Sequence, residues 1–126
     1  MPASGVVVKQ FGEEADSGQQ SKGIVIETRK GARVVAPFDG QVVFAGAFRG
    51  YGQILIVEHS EGYHSLIAGI SRIDVSVKQY VLGGEPVGLM GDGPDAGLRL
   101  YLEIRQRGRP INPLPWLAAD KRKVSG

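Results

Sequence analysis

Apolar residues in this chain come in short runs rich in valine and isoleucine, and each run is closed within a few residues by glycine, proline or a polar turn cluster. With 19 Gly and 7 Pro among 126 residues, few segments are long enough for a helix of ordinary length, so the pattern predicts a single all-β domain with little helix. Valine, the commonest large apolar residue, suits a pleated, half-buried surface. Leu, Ile, Val and Phe together make up 36 residues, more than disordered chains of this size carry, so the chain folds around a core. There is no cysteine, which removes disulfides and thiolate metal sites and leaves burial to hold that core. No apolar run reaches the roughly 18 residues of a membrane span, and the first residues lack the pattern of a signal peptide.

Strands are predicted at Val6–Val8, Gly23–Thr28, Gln53–Glu58, Tyr63–Ala68 and Leu98–Arg105. Arg33–Phe38 and Gln41–Ala45, joined by Asp39-Gly40, read as a hairpin, because Asp-Gly supplies the positive φ angles of a type I′ turn. Ser60-Glu61-Gly62 reads as a second reversal, and the glycine-rich stretch 81–90 as a tight corner between strands. Pro110, Pro113 and Pro115 argue against regular structure after Gly108, apart from a turn that lets Trp116 and Leu117 pack back on the sheet. The net charge of +2 is too small to argue for nucleic acid. It is unevenly spread: residues 99–123 hold seven basic and two acidic residues, a balance of +5, and Lys121-Arg122-Lys123 reads as a solvated basic tail.

The motifs Lys22-Gly23-Ile24, Val35-Ala36-Pro37-x-Asp39-Gly40, Val57-Glu58-His59, Gly84-Glu85-Pro86-Val87-Gly88, Leu100-Tyr101-x-Glu103-Ile104-Arg105 and Asn112-Pro113 follow one another in an order that resembles the LytM-type (lysostaphin-like) peptidoglycan metallopeptidase domain. The resemblance implies a domain over residues 21–117, with residues 1–20 as an N-terminal strand and polar loop of the same domain and residues 118–126 as the basic tail. It also implies a cleft. Active members hold zinc with a His-x-x-x-Asp motif and the second His of a His-x-His motif. On a strand, residues two apart share a face, so such a pair aims both rings into one groove, and zinc needs three protein ligands with one position open. Here Ser21 and Val25 stand where His and Asp belong, Arg99 and Tyr101 where His-x-His belongs, and Gly69 at the remaining catalytic His. Valine has no donor atom, arginine stays cationic, and tyrosine ionises only near pH 10. The expectation is therefore no catalysis, no metal and no cofactor. His59 and His64 read as ordinary histidines of a hairpin.

The losses point to the degenerate LytM domains of the EnvC murein hydrolase activator type. That resemblance implies a non-catalytic, periplasmic activator of N-acetylmuramoyl-L-alanine amidases during cell separation, binding an amidase regulatory segment in the old active-site groove. The implied groove comprises Ser21, Lys22, Val25, Tyr51, Tyr63, Ile67, Gly69, Arg99, Tyr101 and Arg105. Such domains follow a coiled coil that answers to a division-linked regulator, so this chain is expected to be a C-terminal fragment. An alternative is a non-catalytic peptidoglycan-binding module that uses exposed tyrosines of the same cleft. A lipoyl-type carrier is disfavoured, because no lysine sits in a Met-Lys-Met or Asp-Lys-Ala context.

Overall fold

A computed structural model describes residues 2–13, 20–48, 52–93 and 98–117. The described residues are mostly antiparallel strand, as the valine-rich runs predict. Strands β1 (Gly5–Lys9), β2 (Ile24–Thr28), β10 (Arg99–Gln106), β6 (Tyr63–Ile70), β5 (Gly52–Glu58), β4 (Gly40–Phe48) and β8 (Tyr80–Val81) lie side by side in that order, and β11 (Arg109–Ile111) pairs with β10. A smaller sheet joins β3 (Arg33–Val35), β9 (Pro86–Leu89) and β7 (Arg72–Ile73). Ile24, Ile26, Leu55, Ile67, Leu100, Leu102 and Ile104, from one face of the large sheet, form a single buried cluster with Val34, Val87 and Met90 from the smaller layer. Leu117 closes the cluster from a helical turn over residues 114–117, whose first N–H donates to Asn112 Oδ1 at 3.1 Å.

The β5–β6 hairpin forms where Ser60-Glu61-Gly62 predicts it, with Glu61 (φ 59°) and Gly62 (φ 77°) making the reversal. The predicted Asp39-Gly40 hairpin does not form: β3 and β4 belong to different sheets, and neither Asp39 nor Gly40 has a positive φ. Competing bonds explain this. The Ala36 N–H donates to the Glu85 carbonyl, the Gly84 N–H to the Ala36 carbonyl, and the Gly83 N–H to Asp39 Oδ1 at 2.7 Å, so this segment is tied to the 83–85 corner and crosses between layers. The expectation of no regular structure after Gly108 is also corrected, because Arg107 (φ 51°) and Gly108 (φ 81°) turn the chain back into β11. That strand bonds on one side only, which leaves alternate N–H groups outside the ladder and accommodates Pro110.

Candidate functional groove

Strand β10 sorts its side chains as the alternation predicts. Leu100, Leu102 and Ile104 enter the core, while Arg99, Tyr101, Glu103 and Arg105 stand on the other face. Register extends this second face across the sheet: Tyr101 pairs with Val25 on one side and Ala68 on the other, Ala68 with Ile54, Glu103 with Leu66, Leu66 with Ile56, and Ile56 with Phe44. The result is an open groove of about 630 Å³ whose walls and floor are Phe44, Phe48, Ile54, Ile56, Leu66, Ala68, Tyr101 and Glu103. A strip of Arg105, His64 and Glu58 crosses the sheet beside this apolar panel, with His64 Nε2 3.4 Å from Glu58 Oε2.

One side-chain network organises the β10 edge. Glu103 is only 4% exposed, accepts from the Tyr101 hydroxyl at 2.6 Å through Oε1, and pairs with Arg105 Nε through Oε2. The guanidinium balances a carboxylate that would be costly to bury alone. Burial, then the hydrogen bond to Glu103, pushes the Tyr101 phenol well above its ordinary pKa, so it remains a neutral donor. The ring leans along the strand over Gly23, where an added Cβ would lie 2.9 Å from both Cζ and Oη of Tyr101. The same Cβ would lie closer still to the Leu102 carbonyl oxygen, so glycine at position 23 is required first by the β10 backbone and then by the tyrosine ring.

The ten groove positions read from sequence separate in the structure. Val25, Arg99, Tyr101 and Arg105 share the groove face; Val25 is half-buried against Tyr101, and Arg99 is exposed with Nη2 4.0 Å from Glu27 Oε2. Gly69 interrupts β6 as a bulge beside Ala68, with φ 94° and a virtual Cβ only 2.5 Å from the Arg99 carbonyl oxygen, so no side chain fits there without backbone movement. Ser21 and Lys22 line an adjoining recess with Phe11, Gly12, Gln20 and Pro110, and Ser21 Oγ donates to the Gly23 carbonyl at 2.8 Å. Tyr63 and Ile67 are not groove residues: Ile67 is fully buried opposite the core residue Leu102, and Tyr63, on the same face of β6, packs against Trp116. Tyr51 lies outside the described residues.

Sequence reasoning missed Phe44, Ile54, Ile56, Leu66 and Ala68. The uninterrupted run Ile54-Leu55-Ile56-Val57 carries the available signal, since a strand apolar on both faces must find apolar surroundings on both.

The positions that the LytM resemblance assigns to zinc (Ser21, Val25 and Tyr101) and to catalytic histidines (Gly69 and Arg99) do not fit a metal. Ser21 Oγ and the Tyr101 hydroxyl are committed as donors, Val25 and Gly69 offer no side-chain donor atom, and Arg99 is a cation. Among the described residues no three His, Cys, Asp or Glu side chains converge. His59 is likewise committed: Nδ1–H donates to the Asp39 carbonyl at 2.7 Å, and Nε2 accepts from the buried Ser65 hydroxyl at 2.7 Å. Burial holds its pKa below the ordinary imidazole value, which keeps the ring neutral.

Residues 19–113 match Peptidase family M23. The murein hydrolase activator EnvC of Escherichia coli is 38% identical over 117 residues, and the murein hydrolase activator NlpD of Salmonella dublin is 40% identical over 117 residues. Both alignments cover 92% of this chain but only 28% and 30% of those proteins, so the chain spans less than a third of the length of these curated relatives. Lysostaphin shares the fold with a TM-score of 0.79 at 20% identity, over 94% of this chain and 51% of lysostaphin. A match through three-quarters of the sequence, together with the strand order that carries it, makes this chain a member of Peptidase family M23, of the LytM type.

Proposed function

We propose that this domain is a non-catalytic activator of periplasmic N-acetylmuramoyl-L-alanine amidases, and that its groove holds the amidase's regulatory segment. The observation that carries the reading is that Ser21, Val25 and Tyr101 stand at the implied ligand positions, with Tyr101 tied through Glu103 to Arg105 beside an apolar groove. Such a surface offers contact area with directional polar tips, which suits a protein partner, and tyrosine and arginine are frequent anchors at interfaces. An amphipathic helix laid with its apolar stripe on Phe44, Ile54, Leu66 and Tyr101 is the matching recognition mode. The names of the EnvC and NlpD relatives support activation of cell-wall hydrolysis as the outcome.

Activation then works as a population shift. An amidase that exchanges between blocked and open forms is driven open by a protein that binds only the open one, and about 2.7 kcal/mol of differential affinity gives roughly a hundredfold change. Glycan stacking in the same cleft finds less support, because Tyr63 and Tyr101 lie on opposite faces of the sheet and make no common platform. The deciding assay is dye release from labelled sacculi by a purified amidase with and without this chain. Stimulation with no release by the chain alone is expected. Release by the chain alone, suppressed by a chelator, would overturn the reading; so would retention on sacculi with no effect on any amidase.

A further inference from the structure

A second cavity, of about 310 Å³, opens at the turn end of the β5–β6 hairpin, on the side of the sheet opposite the groove, and Phe38, Asp39, His59, Glu61, Tyr63 and Trp116 contribute to its lining. Its rings are fixed. Trp116 meets Tyr63 edge-on, with centroids 5.0 Å apart at 60°, and Phe38 meets His59 at 5.5 Å and 88°. Trp116 is nevertheless 42% exposed, held in place by a helical turn whose N–H groups bond to the Pro113 carbonyl.

Among the described residues the two carboxylates of the lining are Asp39 and Glu61, and the nearest cation, Arg107, stands behind the turn with Nε 3.7 Å from where a Cβ on Gly62 would lie. Asp39 uses Oδ1 to accept from the Gly83 N–H, and the Glu61 carboxylate has neither an ion pair nor a hydrogen bond among the described residues. His59 adds no positive charge, since both ring nitrogens are engaged in the neutral form, and among the described residues no lysine or arginine lines the cavity. Glu61 also holds a left-handed backbone (φ 59°, ψ 30°), a conformation more comfortable for glycine or asparagine. An aromatic hollow rimmed by two carboxylates attracts an ammonium or guanidinium group, both through the ring faces and through direct pairing. A neutral apolar ligand would desolvate those carboxylates with no return.

From this juxtaposition we infer that the cavity is a second binding site, independent of the groove, for the lysine or arginine side chain of a peptide partner. Its volume, at the small end for ligand cavities, suits one long side chain.

Trp116 is the only tryptophan of the chain, so intrinsic fluorescence reports on this cavity directly. The full chain is titrated with Nα-acetyl-lysine methylamide and Nα-acetyl-arginine methylamide, with the norleucine counterpart as neutral control and N,N′-diacetylchitobiose as the saccharide arm. A saturable emission change is expected for the two cationic probes only. Glu61→Gln and Asp39→Asn should each weaken it by about threefold to tenfold, and salt at about 0.5 M should weaken it further. Tyr101→Ala, which alters the groove, should leave it unchanged, so this result stands or falls apart from amidase activation. Equal binding of the norleucine probe, a response to the saccharide alone, or no saturable change up to about 50 mM of either cationic probe, a Kd beyond any useful affinity, would overturn the assignment.

Discussion

The two faces of β10 are built from one stretch of eight residues and have opposite tasks. Toward the core, Leu100, Leu102 and Ile104 are each at most 1% exposed and interlock with Ile24, Ile26 and Ile67. Toward the groove, Tyr101, Glu103 and Arg105 are tied to one another rather than to the core, and Arg99 extends into solvent. A strand of this kind separates stability from recognition at a spacing of one residue, because alternation sends neighbours to opposite sides. A metal site could be lost from one face while the other, which holds the sheets together, remained intact.

The contrast is tested most severely on the core side. Leu102→Ala should leave a cavity in the centre of the sheet and destabilise the fold by about 2–5 kcal/mol, measured by denaturant unfolding. If that variant unfolds like the parent, the packing assigned to β10 is wrong.

On the groove side the expected loss moves from stability to binding. Tyr101→Ala removes one partner of Glu103 and should cost the fold only about 1–2 kcal/mol, since Arg105 still balances the carboxylate. Its affinity for the amidase segment should nevertheless fall by about 2 kcal/mol or more, read by calorimetry. Val25→Glu, across the strand from Tyr101, should act in the same direction by placing a charge on the groove face. If both variants fold and activate fully, the groove face has no part in the function.

A smaller effect is expected from pH, and it belongs to the hairpin rather than to β10. The folded protein holds the His59 pKa below the ordinary value of about 6.5, so the unfolded chain takes up a proton first as the solution is acidified. Its contribution is therefore complete above about pH 6.5 and is lost as pH falls below that value. Thermal melting of His59→Gln beside the parent from about pH 7.5 to 5.5 should show a shallower decline for the variant; parallel curves would mean that His59 does not titrate on unfolding.

The smallest change should appear in kinetics. Arg99 is well exposed and only loosely matched to Glu27, so it adds long-range steering toward an acidic partner more than it adds contact. Raising salt from about 0.05 to 0.5 M should slow amidase association more than it speeds dissociation. Association that ignores salt would leave apolar burial as the whole of the attraction.

By itself the sequence determined the all-β class, the β5–β6 reversal, the return of Leu117 to the core and the division of β10 into two faces. In each case the signal was local: turn residues at one point, or strict alternation of polar with apolar side chains. What it left undecided was anything set by a partner distant in the chain. Asp39-Gly40 has the chemistry of a hairpin turn, yet bonds from Ala36 and Asp39 to residues 83–85 carry the chain into the other layer. Arg107-Gly108 returns the chain as β11 because an edge position tolerates Pro110. The groove shows the same limit. Along Tyr63-His64-Ser65-Leu66-Ile67-Ala68 both faces carry apolar side chains, so periodicity alone does not say which one lines the cleft. Only the pairing of Ala68 with Tyr101 and of Ile67 with Leu102 places Leu66 and Ala68 in the groove and Ile67 in the core, because register, unlike alternation, is fixed between strands rather than within one.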